Sequence, residues 1–145
     1  MKKIILVFAA CSLFFLAGFK VHAANDLEYS KNTLDLIAEK TLDAYNCQDH
    51  LAFFKYYSDS LKQLKTKKYF DNLFIAIYKN RFGDIVSKKL IEEKCNLDSD
   101  YPSLVYEAVC TKYNNVLITV NFQKDPGSYC ITQVAFDRMP ETLNH

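Results

Sequence analysis

The chain has 145 residues, half of them hydrophobic, with 18 Lys+Arg against 17 Asp+Glu and a formal net charge of +1. That length suits one domain around one core. The balanced charge lacks the basic excess of a nucleic-acid binder, so no nucleic-acid partner is expected.

Residues 1–23 read as a secretory signal peptide. Lys2 and Lys3 precede an apolar run from Ile4 to Phe19, and Val21-His22-Ala23 supplies an A-x-A-like site for cleavage between Ala23 and Ala24. The product is expected to be exported, periplasmic or secreted, and to meet a membrane only through this leader. One alternative is an uncleaved anchor, but the run holds 16 residues, short of the ~20 that span a bilayer. A second, a lipoprotein at Cys11, is opposed by Ser12 to Phe19, which continue the apolar run where a polar tether belongs. Cleavage would remove three lysines and no acidic residue, leaving 122 residues with a net charge of −2.

From Asp26 to Asn46 the pattern is helical, with Leu27, Leu34, Ile37, Ala38, Leu42 and Tyr45 mostly at three- and four-residue steps. Asn46-Cys47-Gln48-Asp49 interrupts it. Asp49 suits the N-cap of a short second helix whose apolar members are Leu51, Phe53, Phe54 and Tyr57. Ser58-Asp59-Ser60 reads as a turn. Thr66 caps a third helix through Arg81, with Phe70, Leu73, Phe74, Ile77 and Tyr78 on its buried face. Gly83 stands where a left-handed glycine would end it.

Beyond Gly83 the period becomes two. Ile85 to Cys95 is the weakest strand, since its charges would also suit a helix. Leu104 to Lys112 pairs next, with Tyr106, Ala108 and Cys110 on one side. Asn114-Asn115 makes a tight turn, Val116 to Phe122 is the clearest strand, and Tyr129 to Phe136 is the last. A three-residue loop at Asp125–Gly127 would set Phe122, Val120, Ile118 and Val116 opposite Cys130, Thr132, Val134 and Phe136. A second three-residue loop, Tyr113 to Asn115, would set Cys110 beside Ile118. The expected architecture is α+β, three N-terminal helices packed on a curved antiparallel sheet of about four strands, filling residues 24–139 as one domain. The tail from Pro140 to His145 reads as loose.

An exported chain meets oxidising conditions, so Cys47, Cys95, Cys110 and Cys130 are expected to form structural disulfides, with the pairing open among three full connectivities. On the expected register Cys110 and Cys130 lie too far apart to bond each other. No C-x-x-C spacing suggests a redox or zinc site.

The run Ala44-Tyr45-Asn46-Cys47-Gln48-Asp49-His50-Leu51-Ala52-Phe53-Phe54-Lys55-Tyr56-Tyr57-Ser58-Asp59 resembles the helix–break–helix opening of nuclear transport factor 2-like domains. Those domains carry A-[WY]-N-x-x-D-x-x-A-[FL] and then an [FY]-S-D turn. With Phe82-Gly83 and the strand meander, residues 30–137 look like the small exported bacterial branch of that superfamily. The resemblance implies a cone in which a bent sheet wraps a helix, a pocket at the wide end, and in many relatives a homodimer through the sheet. It implies no activity, because such cones serve as enzymes, ligand sites or neither.

Candidate chemistry is sparse. His50 begins the second helix without an evident orienting partner, and His145 is terminal. Asp43 and Asp49 fit helix-end roles. Asp98-Ser99-Asp100 resembles the start of a calcium loop but lacks its glycine, and Val109 replaces the closing glutamate. No catalytic residue, metal or cofactor is assigned. Lys62, Lys65, Lys67 and Lys68 form the densest basic cluster; a solvated loop and helix start account for it, with an anion site as the alternative. Ten tyrosines are the unusual feature. The candidates for lining a ligand pocket are Tyr45, Tyr57, Tyr69, Tyr78 and Tyr106 with Phe54, Phe74 and Phe122, and the competing role for all of them is core packing. The expected function is a non-enzymatic module of the cell envelope that takes a small apolar ligand or a protein partner. The alternatives are an acid–base enzyme using Tyr and Asp inside the cone, or a secreted factor or inhibitor acting on another protein.

Overall fold

A helix over residues 30–47, α1, opens the described part of the chain; the computed structural model describes residues 30–139. The leader with its Ala23/Ala24 cleavage site, and the tail 140–145, lie outside the described residues. The chain divides into two units, Met1–Thr33 and Leu34–His145. Of the first, only the helical residues 30–33 are described.

Leu34, Ala38, Leu42 and Tyr45 of α1 are buried at steps of four, four and three, the spacing of one helical face. Buried Thr41 donates its hydroxyl to the Ile37 carbonyl at 2.9 Å, so its oxygen is satisfied within the helix. The helix ends because Gln48 turns left-handed, φ +57. Its N–H donates to the Tyr45 carbonyl and that of Asp49 to the Ala44 carbonyl, the paired bonds of a Schellman cap. Asp49 then starts α2 (His50–Phe53), its carboxylate accepting from the N–H groups of Leu51 and Ala52. One residue closes a helix and opens the next, which explains the break at Asn46–Asp49.

Ser58-Asp59-Ser60 is not a turn, as the sequence suggested, but the start of a further helix, α3 (Asp59–Leu64). Ser58 takes the N-cap position, Asp59 sits in the first turn, and Lys62 donates back to Asp59 at 3.1 Å. α3 has no fully buried residue. The next helix, α4, runs through three consecutive segments: Lys67–Phe70, the π-helical Asp71–Lys79, and Asn80–Phe82. Thr66 caps it by accepting from the Tyr69 N–H. Its buried stripe is Phe70, Phe74 and Phe82 with partly buried Tyr78 between them, a strict four-residue repeat. On an α-helix that repeat drifts by about 40° per step. The i→i+5 bonding of the middle segment puts more residues in each turn and holds the stripe on one face. The same change turns Ile77, expected on that face, outward to 52% exposure.

Gly83 has φ +84 and ψ −157, a region essentially confined to glycine. A Cβ there would stand 1.9 Å from the Thr111 hydroxyl. The chain then enters a four-stranded antiparallel sheet in sequential order: β1 (Ile85–Leu90), β2 (Ser103–Cys110), β3 (Val116–Asp125) and β4 (Ser128–Arg138). The architecture is the expected α+β one, helices with a curved antiparallel sheet.

Three details depart from expectation. β1 ends at Leu90, five residues short of Cys95, because a 3-10 turn at Glu92–Lys94 follows. β2 and β3 pair Leu104 with Val120, Tyr106 with Ile118 and Ala108 with Val116. Tyr106, not Cys110, therefore lies beside Ile118, and Cys110 pairs with Ile85 of β1. The offset is an even number of residues, so the buried face is unchanged. The β3–β4 turn holds two residues, Pro126-Gly127, between the paired Asp125 and Ser128. Gly127 takes φ +79, the value a type II turn needs at its second central residue. A bulge between Asn121 and Phe122 then changes the register. Val134 and Phe136 face inward before it and Ile131 after it, which sends Cys130 to the other face.

The interior is aromatic. Phe53 lies 4.4 Å from Phe74 and 5.1 Å from Phe70, ring to ring, while Phe136 meets Tyr45 at 4.7 Å and Tyr78 at 5.0 Å. Asn46 ties α1 to β1: its side chain donates to the Ile85 carbonyl and accepts from the Ile85 N–H, both at 2.9 Å. Lys79 of α4 donates to the Asn46 carbonyl at 2.6 Å and pairs with Asp84 at 2.6 Å. A cation thus sits on the carbonyl end of α1, where the helix dipole favours it.

Candidate functional site

Burial of Phe53 fixes how α2 presents its other residues. With Phe53 fully inside, His50, Leu51 and Phe54 border an opening that α3 and the start of α4 close from the other side. The pocket holds about 420 Å³ and is lined by these three residues and by Lys55, Lys62, Lys65, Thr66 and Lys67. That volume is in the range of small-molecule sites. Phe54, 5% exposed, is its apolar base, and Leu51, 74% exposed, its apolar lip. Leu64 at the end of α3 is also exposed, at 71%.

Four ammonium groups surround this base. Two have carboxylate partners: Lys62 with Asp59 at 3.1 Å and Lys67 with Asp71 at 2.5 Å. Lys65 lies 4.0 Å over the Tyr69 ring and Lys55 5.6 Å from the Tyr56 ring centre. Among the described residues, no carboxylate comes within ion-pair distance of either. The pocket therefore combines an apolar base with a surplus of positive charge. Lys68, the fourth lysine of the sequence cluster, is exposed and outside the lining.

A second opening of about 300 Å³ lies between Lys55, Tyr56, Tyr57, Ser58 and Asp59 on one side and Asp125, Ser128, Tyr129 and Cys130 on the other. The Cys130 thiol donates to Asp125 there. Burial, then this hydrogen bond and the carboxylate's charge, push the thiol up to about 11.

The aromatic candidates have a different setting. Tyr45, Phe54, Tyr57, Phe74, Tyr106 and Phe122 are all buried in the core cluster, and Tyr69 and Tyr78 pack partly buried against it. Of them, Phe54 lines the larger opening and Tyr57 the smaller. Two of the hydroxyls find internal partners: Tyr45 donates to the Gly83 carbonyl at 2.9 Å and Tyr106 to Asp35 at 2.6 Å. Burial, and for Tyr106 also the Asp35 bond and charge, raises both phenols well above the ordinary tyrosine range. Burial does the same to Tyr57.

Cys47, Cys95, Cys110 and Cys130 are free thiols, each in a different setting. Cys47 is exposed at the end of α1, and Cys95 donates to the Ile91 carbonyl in the 3-10 turn. Cys110 is in the core, where burial and then the Asp84 charge push it up to about 11. Ser99, between Asp98 and Asp100, accepts from the Tyr101 N–H, a local turn bond. Among the described residues no group of three or more His, Cys, Asp or Glu side chains is placed to hold a metal ion. Nor is any helix among them long and apolar enough to cross a membrane.

Sequence reasoning named His50 and the lysines but not their convergence. The signal was present in the spacing: Leu51 and Phe54 share a helix face, and the short helix that follows Ser58 returns the basic run to it. No protein-family model, curated protein or solved structure matches this chain.

Proposed function

We propose that the chain is a small exported, non-enzymatic binding module of the cell envelope, of the nuclear transport factor 2-like kind, and that it takes a small ligand at the α2–α3 pocket. One observation carries this reading: an opening of about 420 Å³ with an apolar base, beside a core of buried aromatic rings. A thermal-shift screen of small amphipathic compounds tests it, since a ligand that binds only the folded state raises the melting temperature. Binders are expected to perturb the backbone resonances of His50, Phe54 and Thr66. A screen in which nothing raises the melting temperature, or in which binders map elsewhere, overturns it.

A second reading, an acid–base enzyme, is favoured by the buried Tyr106 hydroxyl donating to Asp35 at 2.6 Å, a pairing able to hold a proton in position. A ligand that perturbs Tyr106 and Asp35 while leaving His50 and Thr66 unchanged would favour it.

A further inference from the structure

The charge around the pocket specifies more than a size. We infer that it binds an anionic amphiphile: a phosphate, sulfate or carboxylate head on a single apolar chain. The head is held at the lysine rim, by the unpaired Lys65 together with Lys62 and Lys67, which share it with their carboxylate partners, and the chain lies against Phe54 and Leu51. This rests on the α2–α3 pocket being the ligand site.

First, Asp59 and Asp71 pair with Lys62 and Lys67, leaving Lys65 and Lys55 as surplus positive charge at the rim. A cationic ligand would meet four ammonium groups at once. A neutral one would cover Lys65 without supplying a counter-charge, and desolvating an uncompensated ion is costly. Second, an inorganic anion alone would use only the rim. Exposed ammonium groups in water attract it weakly, and salt screens what attraction there is. Third, Leu51 stands 74% exposed at the lip of the pocket, and an apolar chain would cover surface that water now wets. In a chain whose total charge is +1, this concentration of lysines around an apolar base is a local feature and not a consequence of composition.

The experiment titrates the protein, in the form the cell accumulates, with four probes below their micelle concentrations where they have one. They are dodecyl phosphate, dodecyl maltoside, dodecyltrimethylammonium and inorganic phosphate, followed by backbone amide shifts and calorimetry. Dodecyl phosphate is expected to bind at least about tenfold more tightly than dodecyl maltoside, the ratio one charge-assisted hydrogen bond supplies. The ammonium probe and inorganic phosphate are expected not to saturate the site. In the Lys62→Gln/Lys65→Gln variant the preference for the phosphate head should disappear, while maltoside binding stays within about twofold. Unchanged amide spectra elsewhere verify that the variant is folded.

Equal affinity for the phosphate and maltoside heads at this pocket would overturn the anion assignment and leave the pocket reading standing. An anion preference that survives the lysine changes would overturn it too. Binding confined to anionic lipid vesicles, with no response to the monomeric amphiphile, would replace it with a membrane-surface role. No response at the pocket to any probe would overturn both this inference and the reading on which it rests.

Discussion

The interior of this protein and the corner between α2 and α3 are built from neighbouring residues to opposite ends. Phe53 is fully buried with four aromatic neighbours, Phe54, Tyr57, Phe70 and Phe74. Two positions before it on the same short helix, Leu51 is 74% exposed at the lip of a cavity. The interior packs its rings against each other, and Tyr45 and Tyr106 use their hydroxyls in internal hydrogen bonds. The corner is supported by that interior through Phe54 but is lined by long charged side chains that contribute little to stability. A rigid core beside a weakly packed charged opening separates the residues that hold the fold from those free to meet a ligand.

Substitutions should divide along that line. Phe53→Ala removes the hub of the ring cluster and is expected to cost about 3–5 kcal/mol, read by chemical denaturation. A loss below 1 kcal/mol would mean the cluster is not the core. Asn46→Ala leaves the Ile85 N–H and carbonyl without their partners. It should cost about 1–3 kcal/mol by the same measurement, with Asn46→Asp intermediate because it keeps the acceptor. Gln48→Gly relieves a left-handed residue at the end of α1. Against the backbone entropy glycine adds to the unfolded chain, the net gain should be about 0.5–1 kcal/mol in thermal or chemical unfolding.

The buried thiols give the comparison a pH axis. Cys110 and Cys130 titrate near 11 in the folded chain against an ordinary value of 9.0. Between those values the unfolded chain has released protons that the folded chain retains, so stability falls as pH rises. The urea midpoint should fall from about pH 9 to pH 11, and less steeply in the Cys110→Ala variant. Thiol labelling at neutral pH should reach Cys47 first. With four free thiols among the described residues, reduction should leave the melting temperature unchanged; a drop on reduction would point instead to the disulfides expected of an exported chain. The smallest effect is expected at the corner itself. Lys62→Gln/Lys65→Gln should change stability by no more than about 0.5 kcal/mol, because exposed charges contribute little.

Much of this arrangement could be read from the residues. The Asn46–Asp49 break, the Asp49 and Thr66 caps, Gly83 and the alternating run Val116–Phe122 each rest on local chemistry, which needs no knowledge of the rest of the fold. What escaped depends on bonds between distant segments. The β3–β4 bulge inserts one residue and turns Cys130 away from the core, which alternation alone does not foresee. The π-helical bonding of α4 moves Ile77 outward although its α-helical spacing was sound. Tyrosine abundance left a lined cavity and core packing as alternatives, and Tyr45, Tyr57 and Tyr106 lie buried in the core. The opening formed instead where a short helix, α3, replaced an expected turn.

The division between filled interior and open charged corner is tested most directly by mapping dodecyl phosphate onto the backbone amides of the full protein. Saturable shifts are expected at Leu51, Phe54, Lys65 and Lys67, with Tyr106, Ile118 and Val134 unmoved. Shifts concentrated at Tyr106, Ile118 and Val134 would show that the ligand enters the interior, and would contradict that division.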